Sequence, residues 1–243
     1  MRGYVSLLLH AHLPFVRHPE HDRFLEESWL YEAITETYLP LIEVFRGWRH
    51  DRIPAQVTLT LSPTLCAMLQ DPLLLSRYDR HLGELIQLAE RETYRTHWEP
   101  PTRTLAELYL HRFRQLRDTW HHLGRDLVGA FRDLQDSGTL EIITTAATHG
   151  LLHLLAAHPS SVRGQILTAC HDYRRCFGRD PRGIWLPECA YTPVLEPVLQ
   201  EAGLRWFIVD THGLLHATPR PRYGVFAPIL THNGLAAFGR DLA

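Results

Sequence analysis

The chain has 243 residues and a formal net charge of -2, with 45% apolar, 10% aromatic and 21% charged residues. That balance belongs to a folded protein with enough apolar content for one sizeable α/β core, and it excludes disordered and fibrous classes. A charge near zero with no basic block predicts no nucleic-acid partner. All 25 basic residues are arginine, so lysine Schiff-base chemistry and a phosphate-loop lysine are also excluded. The four cysteines (Cys66, Cys170, Cys176, Cys189) have no paired-ligand spacing. With no secretory leader pattern and no apolar run of membrane-spanning length, the expectation is a cytoplasmic chain with reduced thiols and no membrane partner.

In chain order, residues 3–9 are a near-continuous apolar run, which predicts a strand buried on both faces. It runs into His10-Ala11-His12-Leu13-Pro14. Two histidines at i and i+2 on an extended segment point the same way and can face one pocket. Trp29 to Trp48 carries apolar residues at helical spacing, and Ala55 to Leu61 reads as a second strand closed by Ser62-Pro63. Helices follow near 63–70 and 73–92. A long amphipathic pattern from Thr102 to Gln135 predicts two helices broken near Gly124 or Gly129, since one helix of that length is unusual in a globular domain. Residues 63–135 thus read as a helical insertion serving as scaffold or lid.

Leu140 to Thr144 predicts a third strand leading into Ala147-Thr148-His149-Gly150. A helix over 159–177 precedes a short strand that stops at Trp185-Leu186-Pro187-Glu188-Cys189-Ala190-Tyr191. After a helix near 193–201, Trp206 to Val209 makes a fifth strand ending in Asp210-Thr211-His212-Gly213. The tail carries short strand-like pieces at 225–229 and 235–238. What recurs is a strand, a polar residue and then a helix. His10 with His12, His149, Glu188, and Asp210 with His212 all follow predicted strands, which argues for a shared pocket at the carboxyl face of a parallel sheet or barrel.

Two chemistries fit these residue types. In one, Glu188 is a carboxylate nucleophile at a sugar's anomeric carbon, histidines bind sugar hydroxyls, and Trp185 stacks on a ring face. In the other, His10, His12, Glu188, His149 or His212, and Asp210 bind a divalent metal that activates water. The spacing alone leaves both open.

Taken together, His10–Pro14, Trp29–Tyr38, Ala147–Gly150, Trp185–Tyr191 and Val209–Gly213 resemble glycoside hydrolase family 57, and within it the 1,4-α-glucan branching enzymes. The resemblance runs from the first strand to Phe238-Gly239-Arg240-Asp241. It implies an α/β fold, a distorted (β/α)7 barrel with inserted helices, of which residues 1–243 are the amino-terminal portion. Glu188 is then the nucleophile, holding a donor glucan as a covalent intermediate before an acceptor 6-hydroxyl takes it with retained configuration. By the same resemblance His10, His12, His149 and Asp210 surround the reacting glucose, Trp185 and Trp29 are walls or platforms, and neither metal nor cofactor takes part. The implied partner is an α-glucan such as amylose or glycogen. The family's acid/base aspartate lies on a later strand, beyond Ala243. This implies a shortened catalytic barrel, completed by a complementary carboxyl-terminal half or by self-association. A 4-α-glucanotransferase or amylase of the same family, and a glucan-binding module without turnover, are the competing expectations.

Overall fold

A computed structural model describes residues 3–241. The chain divides into two units, one of Met1–Pro14, Gln56–Cys66 and Leu140–Ala243, the other of Phe15–Ala55 and Ala67–Thr139.

The first unit holds all the strands among the described residues: β1 (Leu8–Ala11), β2 (Val57–Leu61), β3 (Leu140–Thr145), β4 (Gly183–Trp185), β5 (Trp206–Val209), β6 (Ile229–Leu230) and β7 (Ala236–Gly239). They form one seven-stranded sheet in the order β1-β2-β3-β4-β5-β7-β6. Every pairing is parallel except that of β6 with β7. Helices α7 (Leu152–Leu155), α8 (Pro159–Phe177), α9 (Glu196–Glu201) and α10 (Thr211–Leu215) intervene, giving the strand and helix arrangement of a distorted (β/α)7 barrel.

Side-chain alternation along the strands sorts residues onto two faces. Ile184, Phe207 and Val209 join Val162, Ile166, Leu195 and Leu199 in the core under the helices. Their neighbours Trp185 and Ile208 pack on the opposite face with Ile143, Cys189 and Leu8. The second face is the one the site occupies.

Gly183 is required by packing. A Cβ there would lie 2.3 Å from the Trp206 ring, its partner across the β4–β5 register. Because the neighbour is a rigid indole in a paired strand, Gly183→Ala should lower stability by about 2 kcal/mol or more. The check is a fall in the urea midpoint with an unchanged m-value.

The second unit is helical: α1 (Glu27–Ala33), a π-helical turn (Ile34–Tyr38), α2 (Leu39–His50), α4 (Pro72–Arg95), α5 (Pro100–His122) and α6 (Leu127–Asp136). Between them α3 (Pro63–Met68) begins in the first unit and ends in the second. The turn widens just before Pro40, which has no N–H to return to the carbonyl of Glu36. Edge-to-face contacts of Tyr78 with Trp120 and of Tyr38 with Phe131 mark the helical core. The break expected near Gly124 or Gly129 falls at Gly124, whose φ of +64° suits glycine, and Asp126 caps the new helix through the Gly129 N–H. No described helix is long and apolar enough to cross a membrane.

Two strand expectations need correction. The run 3–9 is not a strand buried throughout: residues 3–7 are exposed, Tyr4 at 99% and Val5 at 101%, and β1 starts only at Leu8. The limit is the partner, because β2 begins at Val57 and the register Leu8↔Thr58 puts Leu7 opposite its first residue. The piece at 225–229 likewise shrinks to Ile229–Leu230, as far as its pairing with β7 extends.

Candidate active site

Four strand ends of the first unit converge. From β1, His10 Nε2 lies 3.0 Å from His149 Nε2, and the His12 ring stacks on His149 at 4.1 Å and 10°. From β4, the Trp185 indole stacks on His10 at 4.5 Å and 13°. His12 is oriented from behind by Ser62 Oγ, 2.9 Å from its Nδ1, and Ser62 in turn meets Thr64. The buried Thr145 hydroxyl donates to the Trp185 carbonyl at 2.7 Å, fixing the β3–β4 edge below the indole. A cluster of three imidazoles cannot hold several positive charges. Burial first, then the neighbouring histidines, depress His10 to about 3, and burial followed by His149 depresses His12 to about 4. Burial also lowers His149, although the Glu188 charge pulls the other way. All three are therefore neutral near pH 7, each with one donor and one acceptor nitrogen.

Glu188 follows β4 in the turn Pro187–Cys189, with its side chain exposed. Its φ of +56° is left-handed, as are those of Cys189 (+54°) and His149 (+55°). Of the five non-glycine residues with positive φ among the described residues, three belong to this turn and its neighbouring histidine loop. Such strain persists where surrounding structure enforces it, and it collects at functional sites. The enforcement is visible. Cys189 is buried beneath the turn, and burial followed by the Asp210 charge pushes its thiol up to about 11. Beyond the turn, Tyr191 stacks on Phe207 at 5.0 Å and donates to Glu196. The Glu196 carboxylate is 2% exposed yet accepts also from Thr231 Oγ1 (2.9 Å) and from Asn233 Nδ2 (2.7 Å) and N (3.3 Å). Burial pushes its pKa up, and these donors together more than offset that and hold it low.

Asp210 follows β5, where its Oδ1 accepts from Arg240 Nη1 at 2.9 Å. Arg240 follows β7 and also holds its guanidinium 5.8 Å from the Trp185 ring centroid. Asp210 is thus placed as an ion-paired carboxylate beside the Glu188 turn. His212 lies on α10 with its side chain exposed. Trp29 lies on α1 in the helical unit, 46% exposed.

Arg240, Ser62, Thr145 and Glu196 were not singled out from the sequence. Arg240 had a signal in the sequence, as a polar residue just past the strand-like piece at 235–238, and the β5–β7 register of Val209 with Gly239 sets it beside Asp210.

The Glycosyl hydrolase family 57 model matches residues 6–242. The 1,4-α-glucan branching enzyme of Thermococcus kodakarensis is 33% identical over 227 residues, covering 87% of this chain and 33% of that protein. Among solved structures, the α-amylase AmyC of Thermotoga maritima superposes with a TM-score of 0.94 at 41% identity, over 99% of this chain and 46% of that one. The GH57-type branching enzyme of Pyrococcus horikoshii gives 0.91 at 30% identity, over 100% and 48%. The chain therefore spans a third to about half the length of these relatives. With the match running from before β1 to beyond β7, and the strand-end histidines and glutamate lying inside it, the chain belongs to glycosyl hydrolase family 57.

Proposed function

We propose that the chain carries the nucleophile side of a retaining α-1,4-glucan branching site, with Glu188 as the nucleophile. The observation that carries this reading is the strained, exposed glutamate at the end of β4, set beside a neutral histidine cluster and an indole. A Glu188 oxygen attacks the anomeric carbon and forms a glycosyl ester, and the bond to the departing 4-oxygen breaks as that oxygen takes a proton from an acid/base carboxyl supplied by the completing half of the barrel. The 6-hydroxyl of a second glucan then attacks the same carbon, gives its proton back to that carboxyl and releases Glu188. Two inversions return the original configuration. Neutral His10, His12 and His149 offer both donors and acceptors to sugar hydroxyls, which imidazolium rings would not. Trp185 supplies an apolar ring face, and Asp210 and Arg240 a charged rim. We assign Trp29, exposed on α1, as a platform for a sugar ring.

The role extends to a partner. A polypeptide equivalent to the other half of those relatives, or a second copy of this chain, would cover exposed apolar residues such as Tyr4, Val5 and Leu230.

The family also contains an α-amylase, AmyC, at 41% identity, so hydrolysis is the second reading. Amylose incubated with the protein and analysed for linkage separates them. New α-1,6 bonds are expected once the completing half is present. Shortened α-1,4 chains alone would mean water is the acceptor, and tight binding without any product would mean a glucan-binding module.

A further inference from the structure

A second cluster of reactive side chains lies in the first unit. Cys66 sits one turn into α3, held there by its N–H donating to the Ser62 carbonyl at 2.9 Å. Asp172 and Cys176 stand four residues apart on α8, a spacing that puts them on one helical face. That helix is fastened to β3 by the Tyr173 hydroxyl, which donates to the Ile142 carbonyl at 2.8 Å. The result is that one ligand atom from each of Cys66, Asp172 and Cys176 lies within 4.8 Å of the other two. Both cysteines are buried, Cys66 at 1% and Cys176 at 2% exposure, and Asp172 is partly open.

We propose that Cys66 Sγ, Cys176 Sγ and Asp172 Oδ2 form a binding site for one thiophilic divalent cation of the zinc class, separate from the sugar chemistry. Two thiolates and a carboxylate are a soft donor set that zinc favours and magnesium or calcium does not. Zinc bonds of about 2.3 Å to sulfur and about 2.0–2.2 Å to oxygen place tetrahedral ligands roughly 3.5–3.8 Å apart. Cys176 Sγ and Asp172 Oδ2 already stand 3.8 Å apart, so closing on an ion takes only small side-chain movements.

The hydrogen-bond pattern prepares this set. Cys66 and Cys176 are hydrogen-bonded to each other. Arg175 binds Asp172 through Oδ1, at 2.7 and 3.0 Å, which leaves Oδ2 turned toward Cys176. A second partner on the far oxygen orients a carboxylate ligand. Arg175 Nη2 also donates to Cys176 Sγ at 3.3 Å, a contact the ion would replace. On binding, each thiol loses its proton to solvent as the sulfur–metal bond forms, and water completes the fourth position.

The test is titration of the fully reduced chain with Co2+ as a spectroscopic stand-in and then with Zn2+ in competition with a chromophoric chelator. One ion per chain, with thiolate-to-cobalt charge-transfer absorption, is expected. Cys176→Ser should abolish that absorption. Asp172→Asn, on the more open ligand, should keep the fold and weaken zinc binding by about tenfold or more. Absence of the charge-transfer band in folded, reduced protein overturns the site. So does a band unchanged in both variants, or a Cys66–Cys176 disulfide that forms in preference to metal binding.

Discussion

Glu188→Gln is expected to remove glucan turnover while leaving the fold intact. The substitution is nearly isosteric and the side chain is exposed, so stability should move by no more than about 0.5 kcal/mol. An amide, however, cannot form the glycosyl ester on which the proposed reaction depends, and loss of a nucleophile costs about three orders of magnitude or more. Measurement of glucan product over time, alongside thermal unfolding of the same preparations, separates the two effects. A variant with near-normal turnover would remove Glu188 from the chemistry. A variant that unfolds would show instead that the left-handed turn depends on the carboxylate.

The histidine cluster carries the second large effect, on stability against pH. In the unfolded chain each imidazole titrates near 6.5, whereas folded His10 and His12 resist protonation down to about 3 and about 4. Between these values the unfolded chain binds protons that the folded chain does not. Stability is therefore full above about pH 6.5 and falls as pH drops toward 4 and then 3. A fully buried histidine held down from 6.5 to about 3 would contribute about 5 kcal/mol. These rings are partly open to water, and screening leaves on the order of 1–2 kcal/mol for the cluster between pH 7 and pH 5. Urea midpoints across that range give the slope. His10→Asn should flatten it, because the ring under most pressure from burial and from its neighbours is gone. Parallel profiles for the two proteins would mean that the loss has another source. The Glu196 carboxylate is distinguishable, since its folded value lies below the ordinary carboxylate range and its contribution is lost only at lower pH.

Much of the fold could be read from residue pattern. β5 runs over Trp206–Val209 and α8 over Pro159–Phe177, as periodicity and flanking breakers predict. The failure at residues 3–7 is instructive. Apolar runs report what a segment could bury, and whether it does depends on a partner strand whose start at Val57 the run itself does not encode. The site divides in the same way. Polar residues just past strands identified His10, His12, His149, Glu188 and Asp210, because strand ends on one side of a parallel sheet are brought together by topology. The residues that brace them were harder to see. Glu196 and Thr231 meet 35 positions apart, and Thr145 acts through a neighbour's backbone. Cys66 and Cys176 are 110 residues apart, a separation no ligand-spacing pattern includes, and they meet only because the fold brings α3 and α8 together.

The central claim is that Glu188 forms a covalent bond to glucose, and trapping that bond tests it most directly. A 2-deoxy-2-fluoro α-glucosyl or α-maltosyl fluoride slows both steps, and fluoride departs without needing a proton. The experiment therefore reads the nucleophile alone, whichever group serves as acid. Intact mass followed by peptide mapping should show one glycosyl adduct on the peptide containing Glu188, absent from Glu188→Gln. No adduct on the folded protein, or an adduct that persists in the variant, would contradict the account.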